Sequence, residues 1–300
     1  MFKLRMLAGR RLAVCALAIF GLNGSVFSQT SKAVHWKIRY QPKQIVNGSP
    51  FILRVQTPAK LQSLSATWLN HDVYFSWDAS GKYWFGIAGV GLSTAPGAYP
   101  LHLSGESANG NKVAFDQQIT VRHMKYPNTA VTVDKKFTEP SATELEEIQK
   151  DKATKQEVFA QFTPTRAWSG DFQQPVIARI SDVFGATRTF NGKVQSTHEG
   201  LDFAVPTGTA IAALNRGTVV LARLLFFEGN CVMIDHGQGL LSLYLHLSKI
   251  EVKEGDMVSS GQEIGLSGGT GRATGPHLHI AVRWQGVYVN PATLFELKLP

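Results

Sequence analysis

The chain has 300 residues, 44% of them hydrophobic and 17% charged, which is length for about two domains and the composition of a folded globular protein. That excludes a disordered or collagen-like chain, and 28 Gly with 13 Pro argue against an extended coiled coil. The net charge of +8 invites a nucleic-acid reading, but Lys3, Arg5, Arg10 and Arg11 supply +4, leaving +4 for the rest of the chain. This is too little for a DNA footprint, so no nucleic-acid partner is expected; an anionic polymer or membrane surface is compatible.

The basic start runs into an uncharged apolar stretch at 12–22 and then Val26-Phe27-Ser28, the pattern of a secretory signal over residues 1–28 with cleavage after Ser28. About eleven apolar residues are too few to span a bilayer, although an uncleaved anchor is the alternative. No later run of eighteen apolar residues exists, so no retained transmembrane helix is expected. The protein is expected to be exported, to a periplasm or cell envelope or out of the cell. Cleavage removes Cys15 and leaves Cys231 alone, so stability must come from the core or from a metal and not from disulfides.

Residues 33–124 alternate strand-like runs (34–40, 51–57, 61–69, 73–77, 83–90, 98–104 and 112–122) with turn clusters such as Asn47-Gly48-Ser49 and Pro96-Gly97. Phe51, Leu53 and Val55 alternate with Ile52, Arg54 and Gln56, which predicts a strand with one buried face. About seven runs in this length predict an immunoglobulin-like β-sandwich, with Trp68, Trp77 and Trp84 in its packing. Residues 125–170 read as a linker with one helix. Ser141-Ala-Thr-Glu144 is a capping box opening a charged stretch at 144–162, with Leu145, Ile148, Val158, Phe159 and Phe162 facing inward. From 171 to 300 strand patterns return (209–214, 217–222, 231–235, 240–245, 264–267, 277–284 and 287–289), predicting a C-terminal antiparallel β-domain. The fold class is therefore mainly β.

Five of the nine histidines follow residue 197: His198, His236, His246, His277 and His279. In His198-Glu-Gly-Leu-Asp202 the even spacing returns His and Asp to one face of an extended strand, with Gly200 leaving the space between them open. In His277-Leu-His279 both imidazoles share a face. Two imidazoles and a carboxylate suit Zn²⁺, and three protein ligands with an open fourth position mark a catalytic site; each pair taken alone reads more readily as structural than as metal-binding. The 268–275 glycine-rich run lacks a terminal Lys-Ser/Thr and feeds a strand, so it reads as a flexible loop bordering a cleft and not as a phosphate cradle. His236, at a hairpin turn, and Cys231, in an apolar strand, read as structural. Glu199 reads as surface, and Arg188 and Asn191 are expected beside the cleft.

Taken together, His198-Glu-Gly-Leu-Asp202, Pro206-Thr-Gly-Thr209, Ile234-Asp-His-Gly237, Tyr244-Leu-His246, Gly261-Gln-Glu-Ile-Gly265 and Gly275-Pro-His277-Leu-His279 resemble the zinc metallopeptidase domain of lysostaphin and LytM. The resemblance implies one zinc per chain held by His198, Asp202 and His279, with His246 and His277 as catalytic histidines. It implies an endopeptidase whose partners are the stem peptides or cross-bridges of bacterial peptidoglycan. The alternative it leaves is a latent or non-enzymatic LytM-type regulator that activates cell-wall amidases, and 165–197 is where a segment plugging the cleft is expected. Oligomeric state is not legible.

Overall fold

The computed structural model describes residues 35–192 and 194–300; the secretory segment read at 1–28 lies outside them. Nine strands come first: β1 (Lys37–Gln41), β2 (Ile45–Val46), β3 (Pro50–Gln56), β4 (Ser63–Trp68), β5 (His71–Tyr74), β6 (Ser76–Asp78), β7 (Tyr83–Gly89), β8 (Gly97–Glu106) and β9 (Lys112–Arg122). They form one sheet of order β1-β3-β7-β6 and another of order β2-β9-β8-β4-β5. Phe51 of the first meets Trp68 of the second edge to face at 5.5 Å, both fully buried, so the sheets share a core. The expected 73–77 strand is two, β5 and β6, and β2 was not legible because two residues carry no period.

Two packing expectations are corrected. Ile52 was assigned to a solvent face, but it is as buried as Phe51 and Leu53, because the C-terminal end of the chain packs against β3. Trp77 was assigned to the packing, yet it sits on the three-residue edge strand β6 and is 49% exposed, edge-on to Trp84 at 5.5 Å.

After β9 the chain adds β10 (Asn128–Val131) and then α1 (Ala142–Ala160). The capping box forms as read: Ser141 Oγ accepts from the Glu144 backbone N–H and the Glu144 carboxylate accepts from that of Ser141. The apolar anchoring of α1 lies in its last turns, while mid-helix the Asp151 carboxylate accepts from the Phe226 backbone N–H at 2.6 Å. Val158 is buried and Phe159 packs beside it, whereas Leu145 and Phe162, read as inward-facing, are each 47% exposed. A helix whose N-terminal half is charged on all sides has no apolar stripe to bury there.

The remaining elements are β11 (Arg179–Asp182), β12 (Thr187–Phe190), β13 (Val194–Thr197), β14 (Gly200–Ala204), β15 (Ala210–Ala212), β16 (Gly217–Leu225), β17 (Gly229–Asp235), β18 (Leu240–Leu247), β19 (Lys249–Ile250), β20 (Met257–Val258), β21 (Glu263–Leu266), β22 (Leu278–Trp284), β23 (Val287–Val289) and α2 (Pro291–Glu296). The main sheet runs β11-β14-β22-β18-β17-β16-β20, with β23 also on β22, and every pair in it is antiparallel. Period-two alternation gives this sheet two distinct faces. Leu278, Ile280, Val282 and Trp284 of β22 enter a core continuous with that of the sandwich, while Ala281 turns to the opposite face with Cys231, Met233 and Leu243, beneath Val158 of α1. His279 shares the Ala281 face. Among the described residues no helix is long and apolar enough to cross a membrane.

Candidate active site

Asp202 on β14 and His279 on β22 are register partners across an antiparallel ladder. That places Asp202 Oδ1 2.7 Å from His279 Nδ1. His198 reaches them differently from the expectation. It lies in the link between β13 and β14, not in a strand, since residues four apart in a straight strand would be about 13 Å apart even on one face. The link bends because its backbone is tied twice: His198 N–H donates to Ala186 O at 2.7 Å and Gly185 N–H to His198 O at 2.8 Å. His198 Nε2 thereby comes 3.1 Å from Asp202 Oδ1 and 3.0 Å from His279 Nδ1.

The chemistry of these donors fits a cation. Val183 O lies 2.8 Å from His198 Nδ1, and a carbonyl only accepts, so Nδ1 carries the proton and Nε2 of the neutral ring presents a lone pair. That lone pair faces a carboxylate oxygen and a second imidazole nitrogen in a buried place. The ligand atoms of the three residues all lie within 4.8 Å of one another. Two imidazoles and one carboxylate are a donor set suited to a single zinc ion with one coordination position open. Burial alone would raise the Asp202 carboxyl, but the His198 and His279 rings beside it hold it well below the usual carboxylate range. Burial lowers His279 to about 4 against the pull of Asp202, so at neutral pH Asp202 and His279 are both deprotonated, as metal binding requires.

Support around the three residues is specific. Arg188 on β12 ion-pairs with Asp202 Oδ2, and its Nε donates to Asp182 Oδ2 at 2.8 Å, which fixes the carboxylate's second oxygen and leaves Oδ1 for the metal. Gly200 makes the close approach possible, because a Cβ there would stand 2.4 Å from His279 Nε2 and 2.6 Å from Ile280 O. Gly200→Ala is therefore expected to push the His279 ring off its position and weaken zinc affinity by about 10- to 100-fold, the size of effect seen when ligand support is lost. Competition against a chromogenic chelator, with circular dichroism confirming the fold, measures it; unchanged affinity would contradict this role for Gly200.

His246 and His277 stand beside this group. Their ring centroids are 4.8 Å apart, and His246 is 6.0 Å from His279. One loop orients both: Thr270 O accepts from His246 Nδ1 and Gly275 O from His277 Nδ1, each at 2.8 Å. Both protons are thus placed on Nδ1, and both Nε2 atoms carry lone pairs. His246 holds a left-handed backbone, φ +64°, a conformation costing about 1–3 kcal/mol for a residue other than glycine and concentrated at functional sites. Burial lowers it to about 3, with His277 and His279 adding to the shift. Asp202, Arg188, His246 and His277 line a cleft of about 580 Å³ whose further wall is 129–133.

The loop at 268–275, expected to be flexible, is pinned: Thr270 Oγ1 donates to Leu247 O at 2.7 Å and accepts from Asn230 N–H at 2.9 Å, and Arg272 N–H donates to Phe227 O at 2.9 Å. Arg188 lines the cleft but Asn191 does not; its amide instead exchanges hydrogen bonds with the Val133 backbone, 3.0 Å each way. That clamp holds β10, which pairs in parallel with β12 and makes 129–133 a cleft wall. The alternation Thr129-Ala-Val-Thr-Val133 was the available signal for it. The reading also missed Asp182. Glu199 is exposed, and Cys231 is a buried free thiol pushed up by burial.

His236 is structural. It is fully buried, with Nδ1 2.7 Å from Arg216 O and Nε2 2.8 Å from Ser242 Oγ, and burial lowers it from 6.5 to about 4. The unfolded chain protonates this ring near 6.5 while the folded one keeps it neutral, so stability falls as pH drops from 6.5 towards 4. Its share over that window is roughly 3 kcal/mol. Urea denaturation of chelator-treated protein at pH 7 and pH 4.5 is expected to show a smaller pH dependence for His236→Gln than for wild type; equal slopes would contradict the assignment.

Residues 196–291 match the model of peptidase family M23. A solved Pseudomonas aeruginosa structure described as peptidase M23 is 30% identical over 84% of this chain and 95% of its own, with a TM-score of 0.63. The chain belongs to peptidase family M23. Among curated relatives, the peptidoglycan DD-endopeptidase ShyA of Vibrio cholerae is 53% identical over 113 residues, 37% of this chain and 26% of ShyA. The DD-carboxypeptidase/endopeptidase Mpg of Neisseria meningitidis is 40% identical over 119 residues, 40% of this chain and 27% of Mpg. The match thus spans about a quarter of the length of these relatives. All five residues discussed above fall inside the M23 segment, whereas Arg188, Asp182 and the 129–133 wall precede it.

Proposed function

We propose that this chain is an exported zinc metalloendopeptidase that hydrolyses peptide cross-links of bacterial peptidoglycan, with His198, Asp202 and His279 as zinc ligands and His246 and His277 as catalytic residues. One observation carries the reading: two imidazoles with Nε2 lone pairs line the same open cleft as Asp202 of the buried His-Asp-His donor set, and one of them, His246, stands 6.0 Å from His279. The names of the curated relatives support the substrate class. A zinc ion bound there supplies Lewis-acid polarisation of the scissile carbonyl and lowers the pKa of a water.

The chain's own residues do the rest. One of the two histidines takes a proton from the attacking water at Nε2 and returns it to the leaving amine. The other, when it carries a proton on Nε2, stabilises the oxyanion. The carbonyls of Thr270 and Gly275 keep both rings in register with the cleft. Arg188 keeps Asp202 oriented. We further propose that the C-terminal region, 171–300, is of the lysostaphin/LytM type, that 33–124 is an immunoglobulin-like sandwich, and that 1–28 directs export and is removed.

The test is mass spectrometry of muropeptides from purified sacculi treated with zinc-loaded residues 29–300, beside His277→Ala. Loss of cross-linked dimers with the wild-type chain alone is the expected result, and the fragment masses name the bond. Intact dimers, together with stimulation of an added amidase by both proteins, would overturn the enzymatic reading in favour of a regulator.

A further inference from the structure

The cleft contains a cation that the arrangement above does not use. Arg272 lies in the pinned loop, between the residues whose carbonyls orient His246 and His277. Its guanidinium rests against two rings, 4.5 Å from the centroid of Phe190 and 4.8 Å from that of Phe227, and it lines the same cleft as Asp202, His246 and His277. The neighbouring cation, Arg188, is committed to Asp182 and Asp202. Glu228, the acid whose charge reaches Arg272, is ion-paired with Lys155. Among the described residues no carboxylate or carbonyl accepts a hydrogen bond from the Arg272 side chain.

Two aromatic contacts hold a guanidinium plane while leaving its N–H edges for a planar acceptor, which a carboxylate matches in bidentate fashion. Lysine has neither the plane nor the fork. Phe190 precedes the segment shared with the family, so this seat is partly built by the chain's own upstream residues. We infer that Arg272 anchors a carboxylate of the peptide substrate close to the scissile bond, so that the cleft selects peptides carrying a free carboxylate there over their amidated forms. This rests on the peptidase reading above, and Arg272 acts on substrate position and not on the reacting atoms.

The experiment reads binding, so that it does not depend on turnover. Zinc-loaded full-length His277→Ala protein is titrated calorimetrically with cross-linked muropeptide dimers and with the same dimers after carbodiimide amidation. The expected result is about tenfold tighter binding of the carboxylate form, a preference abolished by adding Arg272→Gln and only partly kept by Arg272→Lys, with zinc content unchanged in all three. Equal binding of the two dimers, no binding of either, or a preference that survives Arg272→Gln would each overturn the inference. Wild-type cleavage of both dimers is followed in parallel. Discrimination in binding without any cleavage would defeat the peptidase reading and leave the carboxylate seat standing.

Discussion

Replacing His279 by alanine is expected to take bound zinc from one per chain to below about a tenth after dialysis, and cross-link cleavage with it, because two remaining ligands underhold the ion. His279 is the cleaner of the possible variants. Asp202→Ala removes a ligand too, but it also strips Arg188 of one of two carboxylates in a site where both are largely buried, and breaking a buried pair destabilises by itself. In His279→Ala the Arg188 pairs stay, and the space lost lies beside Gly200. Metal analysis with circular dichroism separates the outcomes. Folded protein that still holds one zinc would remove His279 from the ligand set.

The second large effect separates chemistry from metal. His277→Ala and His246→Ala are each expected to keep one zinc per chain while kcat falls about 10²- to 10⁴-fold, the range for losing a positioned acid–base group. KM is expected to change little, since neither ring anchors substrate in the ground state. The two should differ in stability. His246 holds a left-handed backbone and is buried, so its alanine variant keeps the strained backbone and leaves a cavity, whereas His277 is only partly buried and costs less. Single-turnover assays with metal analysis decide the matter. Wild-type rates in either variant would end its catalytic role, and loss of zinc would make it a ligand.

Much of this was legible in the residues, and the failures have physical causes. Strands rich in branched and aromatic residues, such as those expected at 112–122 and 240–245, form there, the second running on to Leu247. Pairing of Asp202 with His279 was not readable, because register across β14 and β22 is set by tertiary packing and not by spacing. His198 does lie beside Asp202 as expected, but by a different geometry: even spacing gives a common face, and only the backbone ties to Ala186 and Gly185 give contact. The orienting carbonyls of Val183, Thr270 and Gly275 carry no sequence signature at all, since every residue has one. Glycine-rich composition suggested mobility at 268–275, whereas Gly268 and Gly271 admit close backbone neighbours that fasten the loop. Gly271, for example, sits where a Cβ would meet Gly229 N at 2.3 Å.

The parallel pairing of β10 with β12 also bears on how such a chain can be recombined. A cassette cut at residue 171, where strand-rich sequence resumes, would carry the metal donors and both histidines yet leave behind the 129–133 wall, the partner of the Asn191 clamp, and the helix covering the Met233 face. A chimera joined there would inherit the chemistry without the groove that frames it. The transferable piece has to carry β10 and α1, and because the Leu278–Trp284 face shares its core with the sandwich, the sandwich has to come with it.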